Sequence, residues 1–136
     1  MVLMIDTNII LDVLCKRNGF YEDSLTIFKL CETKKVEGHI SALSIANIVY
    51  ILRKELDFND VKQTLSLLNS IFVIDDLKQT DLLEAANREH VDFEDSLQVV
   101  NGERIKANYL ITRNVRHFIN TKIPVLTPSS FLKSLN

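Results

Sequence analysis

The stretch VLMIDTNIILDVL, residues 2–14, joins two apolar runs through one carboxylate, Asp6. The four residues before Asp6 are typical of a short buried strand, whereas the run after it has the spacing of a helix. A strand that passes directly into a helix is the repeating unit of α/β folds with parallel sheets. The stretch therefore predicts a first strand over residues 2–5, with Asp6 at its carboxyl end.

The rest of the chain repeats this alternation of short strands and helices. Further strands are predicted at residues 39–42, 71–74, 109–112 and 125–127. A helix is predicted through Leu56 with Ser41 or Ser44 as its N-cap, and Asn59 is expected to cap the next helix. This pattern predicts a three-layer α/β/α fold, in which helices cover both faces of a parallel sheet. Because no linker or repeat interrupts it, residues 1–136 are expected to form a single domain.

Composition excludes several classes of protein. No apolar run approaches the roughly 20 residues that cross a bilayer, and no export signal is present, so we expect a cytoplasmic protein with no membrane contact. The three glycines, Gly19, Gly38 and Gly102, stand far apart in the chain, which excludes a dinucleotide fingerprint and a P-loop. Its net charge of −2 provides no overall basic field, so any activity on nucleic acid must depend on a local patch or a bound cation.

Two groups of acidic residues are candidates for that cation site. Asp6 follows the first strand, at the edge where open parallel sheets bind ligands. The segment HVDFEDSLQVV, residues 90–100, places Asp92, Glu94 and Asp95 before or within the first turn of a helix. Acids in these positions are also ordinary helix caps or partners of the helix dipole. If they converge instead, their mutual repulsion favours a divalent cation with oxygen ligands, such as Mg²⁺.

The segment LITRNVRHF, residues 110–118, is the third candidate region. Thr112 and Asn114 stand at the carboxyl edge of the fourth predicted strand, with Arg113, Arg116 and His117 nearby. Arginines at this edge suit the binding of phosphate groups. The alternative is a polar loop whose charges are simply solvated.

Four motifs together resemble the PIN domain family, most of all the VapC-like toxins of bacterial toxin–antitoxin modules. They are IDTNIILDVL, ISALSIANIVYILRK, DFEDSLQ and LITRNVRHF, and the resemblance runs from about residue 2 to residue 131. It implies a parallel sheet of about five strands in the order 3-2-1-4-5, flanked by helices. It also implies a ribonuclease that depends on Mg²⁺ or Mn²⁺.

The resemblance assigns roles to five site residues. The first and third acidic positions of the family correspond to Asp6 and Asp95, with Asp92 one turn earlier, and these three are the expected metal ligands. Asn47 and Asn114 stand where the family usually has a glutamate and an aspartate, and we expect them to orient waters or the scissile phosphate. Because an amide is uncharged and cannot act as a base, one metal ion is expected rather than two.

The resemblance also implies the partners of the protein. Arg113, Arg116 and Lys54 are the expected contacts to RNA phosphates. A cognate antitoxin is expected to cover the acidic site, and a homodimer is expected because many family members pair. The apolar segments 44–52 and 64–72 could then line a helix-pair interface, although burial in the core is the simpler explanation for them.

Two other functions remain open from the sequence. The amides Asn47 and Asn114 favour a catalytically weak or inactive RNA-binding module, which would bind RNA without divalent ions. A phospho-receiver or phosphohydrolase domain also clusters aspartates at strand ends. That class requires a lysine at the end of a later strand, and neither Lys106 nor Lys122 is placed there.

Overall fold

A five-stranded parallel sheet lies at the centre of the computed structural model, which describes residues 1–136. Its strands are β1 (Val2–Ile5), β2 (Glu37–Ser41), β3 (Val73–Asp75), β4 (Tyr109–Ile111) and β5 (Val125–Leu126). Their spatial order is β3-β2-β1-β4-β5, and every neighbouring pair is parallel. The predicted strand order 3-2-1-4-5 is confirmed.

Seven α-helices and one 3₁₀ turn connect these strands. The helices are α1 (Thr7–Leu14), α2 (Tyr21–Glu32), α3 (Ala42–Ile51), α4 (Phe58–Ile71), α5 (Gln79–Asn87), α6 (Phe93–Arg104) and α7 (Pro128–Ser134), and the 3₁₀ turn is Val115–His117. None of them is both long enough and apolar enough to cross a bilayer.

Side chains of β1 alternate between the two faces of the sheet, as successive residues of a strand must. Leu3 and Ile5 join the larger core cluster, which also contains residues of α1, α2 and α4. Met4 points the other way, into a cluster with Val99 of α6 and Leu110 of β4. Because helices bury apolar side chains on both faces, the predicted α/β/α layering is confirmed.

The helix boundaries differ from the predictions around α3 and α4. Ser41 caps α3 through its hydroxyl, one of the two predicted alternatives, but the helix ends before Leu56. The cap of α4 is Asp57 and not Asn59, which lies inside the helix. Asp57 accepts a hydrogen bond of 2.8 Å from the Asp60 amide, and the Asp60 carboxylate accepts one of 3.0 Å from the Asp57 amide. This reciprocal pair satisfies two amides at once, which a cap at Asn59 does not offer.

Candidate active site

Asp6 is a buried carboxylate at the carboxyl end of β1. It occupies the N-cap position of α1, yet its side chain makes no capping hydrogen bond. Its Oδ2 instead accepts a hydrogen bond of 2.8 Å from the hydroxyl of Thr112, which directly follows the neighbouring strand β4. Burial raises the pKa of Asp6, against the lowering effects of the hydrogen bonds from the Thr112 hydroxyl and the Thr7 amide and of the Arg113 charge. Helix capping therefore does not account for the bond to Thr112.

Asp95 lies in the first turn of α6 and shares a cleft with Asp6. Its side chain is 20% exposed. Burial raises the pKa of Asp95 to about 7, and the negative charges of Asp6, Asp92 and Glu94 contribute to the shift in the same direction. The fold thus brings two carboxylates from distant parts of the chain close enough to repel each other.

Asp92 is the N-cap of α6 and lies outside this cleft. Its exposed carboxylate accepts a hydrogen bond of 3.2 Å from the Asp95 amide. Asp92 therefore has the capping role that the sequence offered as the alternative to metal binding. Its charge affects the acidic residues of the cleft only by raising the pKa of Asp95. No three acidic, histidine or cysteine side chains converge as a metal-holding group, so the predicted trio of Asp6, Asp92 and Asp95 is not assembled.

The cleft itself, which we call the acidic cleft, has a volume of about 270 Å³. It is lined by Asp6, Thr7, Asn8, Asn47, Tyr50, Ile51, Glu94, Asp95 and Gln98. Beneath it the Thr7 hydroxyl donates to Ser44 Oγ at 2.7 Å, and the Gln98 amide donates to the same oxygen at 2.9 Å. These bonds tie α1, α3 and α6 together, so the walls of the cleft are held in a fixed relation.

Asn47 projects from α3 into the acidic cleft, opposite the start of α6. Its side-chain amide donates a hydrogen bond of 3.1 Å to Glu94 Oε2. Glu94 was one of three neighbouring acids in the sequence, and nothing in their spacing singled it out. Its partner lies on a helix far away in the chain, so only the fold reveals that Glu94 lines the cleft.

The donor set of the acidic cleft fits one hard divalent cation. Mg²⁺ is usually held by one or two carboxylates and several waters, and Asp6 and Asp95 offer two carboxylates beside the exposed Glu94. The Asn47 and Glu94 oxygens could bind its waters. A bound cation would also offset the burial and the repulsion that together raise the pKa of Asp95.

A second concavity adjoins the acidic cleft beyond β4, and we call it the basic cleft. It has a volume of about 290 Å³ and is lined by Arg113, Asn114, Val115, Arg116, His117 and Thr127. His117 connects the two, because its Nδ1 lies 4.0 Å from Asp95 Oδ2. Asn114 is exposed in the basic cleft and does not line the acidic cleft, so its expected role in orienting waters or the scissile phosphate stays a prediction.

The Arg113 side chain is held in place by contacts within the protein, unlike an arginine of a solvated loop. Its Nε lies 2.9 Å from Oδ2 of Asp12, which is fully buried, in an ion pair without hydrogen-bond alignment. Its guanidinium stacks on the Phe20 ring, with Cζ 4.0 Å from the ring centroid. Asp12, on the buried face of α1, is a residue that the sequence analysis missed, and it fixes the position of Arg113.

Lys54 lies in the turn after α3, exposed to solvent. It lines neither the acidic cleft nor the basic cleft. Arg116 is the exposed arginine that the structure places directly in the basic cleft.

Comparisons with known proteins agree with this architecture. A family model described as PIN domain matches residues 2–116. No curated protein sequence matches the chain.

Solved structures with the same fold include toxin–antitoxin complexes. VapBC2 of Rickettsia felis, solved with a fragment of its promoter DNA, is 19% identical over 93% of this chain and 98% of that chain, with a TM-score of 0.69. A toxin–antitoxin complex of Klebsiella pneumoniae is 19% identical over 93% and 97%, with a TM-score of 0.70. VapC20 of Mycobacterium tuberculosis, a toxin that cleaves the sarcin–ricin loop, is 9% identical over 79% and 86%, with a TM-score of 0.61. At these identities the likeness concerns the fold. Since the family model covers most of the chain and the sheet has the matching order, the chain belongs to the PIN domain family.

Proposed function

We propose that the protein is a metal-dependent ribonuclease that hydrolyses RNA phosphodiesters, acting as the toxin of a toxin–antitoxin module. PIN domains are typically nucleases, which supports the general class. The observation that carries the proposal is the convergence of Asp6 and Asp95 in one polar cleft, with the pKa of Asp95 raised to about 7. Carboxylates held in such mutual repulsion are suited to a bound cation.

In this proposal a bound Mg²⁺ or Mn²⁺ would polarise the phosphodiester and would lower the pKa of the attacking water. Asp6 and Asp95 hold the cation, and Thr112 keeps the Asp6 carboxylate in position by donating to Oδ2. Asn47 orients the scissile phosphate or a water. Glu94, which Asn47 holds at the cleft edge, accepts the proton of the attacking water.

The basic cleft positions the RNA backbone next to the acidic cleft. Arg116 and the Asn114 amide contact the phosphate that follows the scissile one along the groove. Arg113 adds charge from a fixed position, because Asp12 and Phe20 restrain its guanidinium. This binding is independent of base sequence and weakens as salt increases.

A cognate antitoxin is the second partner that we propose. The comparable solved structures include VapBC and FitAB assemblies, which are complexes of toxin with antitoxin. Tyr50 and Ile51 line the acidic cleft and are 64% and 49% exposed. An antitoxin segment over the cleft would cover these apolar side chains together with the acids.

A homodimer remains part of the proposal. The apolar segments 44–52 and 64–72 contain both buried and exposed residues, so neither the core nor an interface accounts for all of them. Ile48 and Leu68 are buried in the core, whereas Leu65 and Leu67 of α4 are 42% and 49% exposed. Light scattering of Leu65→Lys, which would disrupt an α4 interface, tests whether this surface joins two copies.

A cleavage assay tests the ribonuclease proposal. Labelled RNA is incubated with the wild-type protein, Asp6→Asn, Asp95→Asn and the double variant, with Mn²⁺ or with chelator. Glu32→Gln, which removes an exposed acid at the end of α2, is the matched control. Cleavage should require the metal and fall by at least about a hundredfold in each site variant. A pure double variant that cleaves as fast as the wild type would refute the assignment.

The second candidate is a catalytically weak or inactive RNA-binding module. The neutral Asn47 and the lack of a third converging carboxylate favour it. If it is correct, the RNA affinity of the wild type is the same with Mn²⁺ and with chelator, and no cleavage occurs at any metal concentration. If the ribonuclease proposal is correct, removing the cation both stops cleavage and weakens binding, because the acids then repel phosphate.

A further inference from the structure

A third concavity, which we call the Phe20 pocket, has no role in the mechanism above. It has a volume of about 210 Å³. Its polar and aromatic lining includes Phe20, Asp23, Ser24, Arg113, Thr127 and Ser129. Since Arg113 and Thr127 also line the basic cleft, the Phe20 pocket and the basic cleft are continuous.

Ser24 marks the pocket as a place for a polar ligand. Its side chain is fully buried in α2, and its hydroxyl has no hydrogen-bond partner in the protein. A buried hydroxyl without a partner is uncommon, because it loses its bonds to water and gains nothing in return. A ligand that brings a donor or an acceptor into the pocket would satisfy it.

Phe20 and Arg113 form a stacking surface in this pocket. The Phe20 ring is 44% exposed although it is large and apolar. The planar guanidinium of Arg113 lies over it and is held there by Asp12. Aromatic rings and arginine planes are the surfaces on which proteins stack unpaired bases.

The charges of the pocket favour a base over another phosphate. Asp12 pairs with Arg113, and Asp23 adds a second carboxylate at the pocket wall. One guanidinium against two carboxylates leaves an excess of negative charge, which disfavours a second phosphate and suits a neutral planar group. Asp23 can accept hydrogen bonds from a base edge, and Arg113 can donate to one.

We propose that the Phe20 pocket binds one unpaired nucleobase of the RNA strand whose scissile phosphate lies in the acidic cleft. This inference rests on the proposed ribonuclease function and extends it. The strand would run from Asp95, past His117, along the basic cleft and into the pocket at Arg113. The pocket thus adds affinity for a nucleotide that is displaced from the cleavage point.

A fluorescent reporter tests this placement directly. The chain contains no tryptophan, so Phe20→Trp introduces a single one at the pocket. The variant is prepared with Asp6→Asn to prevent cleavage, and it is titrated in Mg²⁺ with unstructured RNA of about two to about ten nucleotides. We expect quenching only once the RNA is long enough to reach the pocket. Replacing one particular nucleotide with an abasic residue should abolish the quenching and weaken binding about tenfold.

Phe20→Leu provides a second measurement in the otherwise wild-type protein. In the wild type, long RNA that reaches the pocket should have a lower KM than short RNA. Phe20→Leu should reduce this KM ratio about tenfold, because the stacking surface is lost. Phe58→Leu is the matched control, since Phe58 is 83% exposed and lines none of the three concavities.

The outcomes separate the two proposals. RNA that is cleaved and bound, but neither quenches the introduced tryptophan nor responds to any abasic substitution, would overturn the base pocket and leave the ribonuclease intact. RNA that is neither cleaved nor bound by any variant would overturn both.

Discussion

Replacing Asp95 with asparagine should stabilise the metal-free protein while removing its activity. Burial and the charges of Asp6, Asp92 and Glu94 raise the pKa of Asp95 from 3.8 to about 7. A raised carboxyl pKa means that the folded state prefers the proton, so the ionised form destabilises folding. Below about pH 4 the group is protonated in both states and the penalty is absent. The penalty grows as the pH rises towards about 7 and is constant above it.

The size of this effect follows from the pKa difference. At about 1.4 kcal/mol per pKa unit, the difference corresponds to an upper bound of about 4 kcal/mol at about pH 8. Two effects reduce this bound. Solvent screens a side chain that is 20% exposed. The helix dipole also stabilises a negative charge in the first turn of α6 by about 0.5 kcal/mol. We therefore expect Asp95→Asn to raise the free energy of unfolding by about 1–3 kcal/mol at about pH 8.

Urea denaturation in chelator, at about pH 4 and about pH 8, measures this difference. The increase in the free energy of unfolding caused by Asp95→Asn should be present at the higher pH and nearly absent at the lower pH. Mg²⁺ at about a hundred times its dissociation constant should stabilise the wild type by about 2.7 kcal/mol and leave Asp95→Asn almost unchanged. Glu32→Gln, which removes an exposed acid far from the acidic cleft, is the comparison that separates relief of local repulsion from a general effect of lost charge. If Asp95→Asn is no more stable than the wild type at the higher pH, the two acids do not repel each other as described.

Three further substitutions give contrasting results. Arg113→Ala should destabilise the protein by about 2–3 kcal/mol in urea denaturation at about pH 8, because it leaves the fully buried Asp12 carboxylate without the cation that offsets its burial, and a loss below about 0.5 kcal/mol would contradict the importance of this pair. Asn47→Asp should tighten Mn²⁺ binding about tenfold by calorimetry, since it adds a charge to the acidic cleft, and unchanged affinity would place Asn47 outside the reach of the cation. Gly38→Ala should lower the free energy of unfolding by about 1–3 kcal/mol, because the added methyl would lie 2.5 Å from the Cys31 sulfur, and a neutral result would show that this contact relaxes freely.

The fold could be predicted because its signals are local and repeated. Each strand is a short apolar run, and its position is recognisable to within about two residues in the structure, as at β1 (Val2–Ile5). The order of the strands is different, since no single run specifies its neighbours. That order came from the resemblance of four motifs to one family, and the paired backbones of β1 and β4 agree with it.

The candidate site was less predictable, for reasons that particular residues illustrate. Spacing on α6 indicates that Asp92 and Asp95 share a face, but not that the Asp92 carboxylate turns back to the helix amide. Similarly, the sequence shows Arg113 beside polar residues and does not reveal its partner Asp12, which lies near the other end of the chain. Glu94 was missed for the same reason, because its contact is with a distant helix. Such pairings depend on the relative placement of elements, which the chain does not encode locally.

The bond between Asp6 and Thr112 has a consequence for biosynthesis. The two residues are 106 positions apart, and the neighbouring backbone contact joins Asp6 to Ile111. In a chain still bound to the ribosome, the Asp6 carboxylate therefore cannot form its bond to Thr112 until β4 has emerged, since contacts of such long sequence separation form late. If the protein cleaves RNA as proposed, its Asp6 site would therefore be incomplete for most of its own translation.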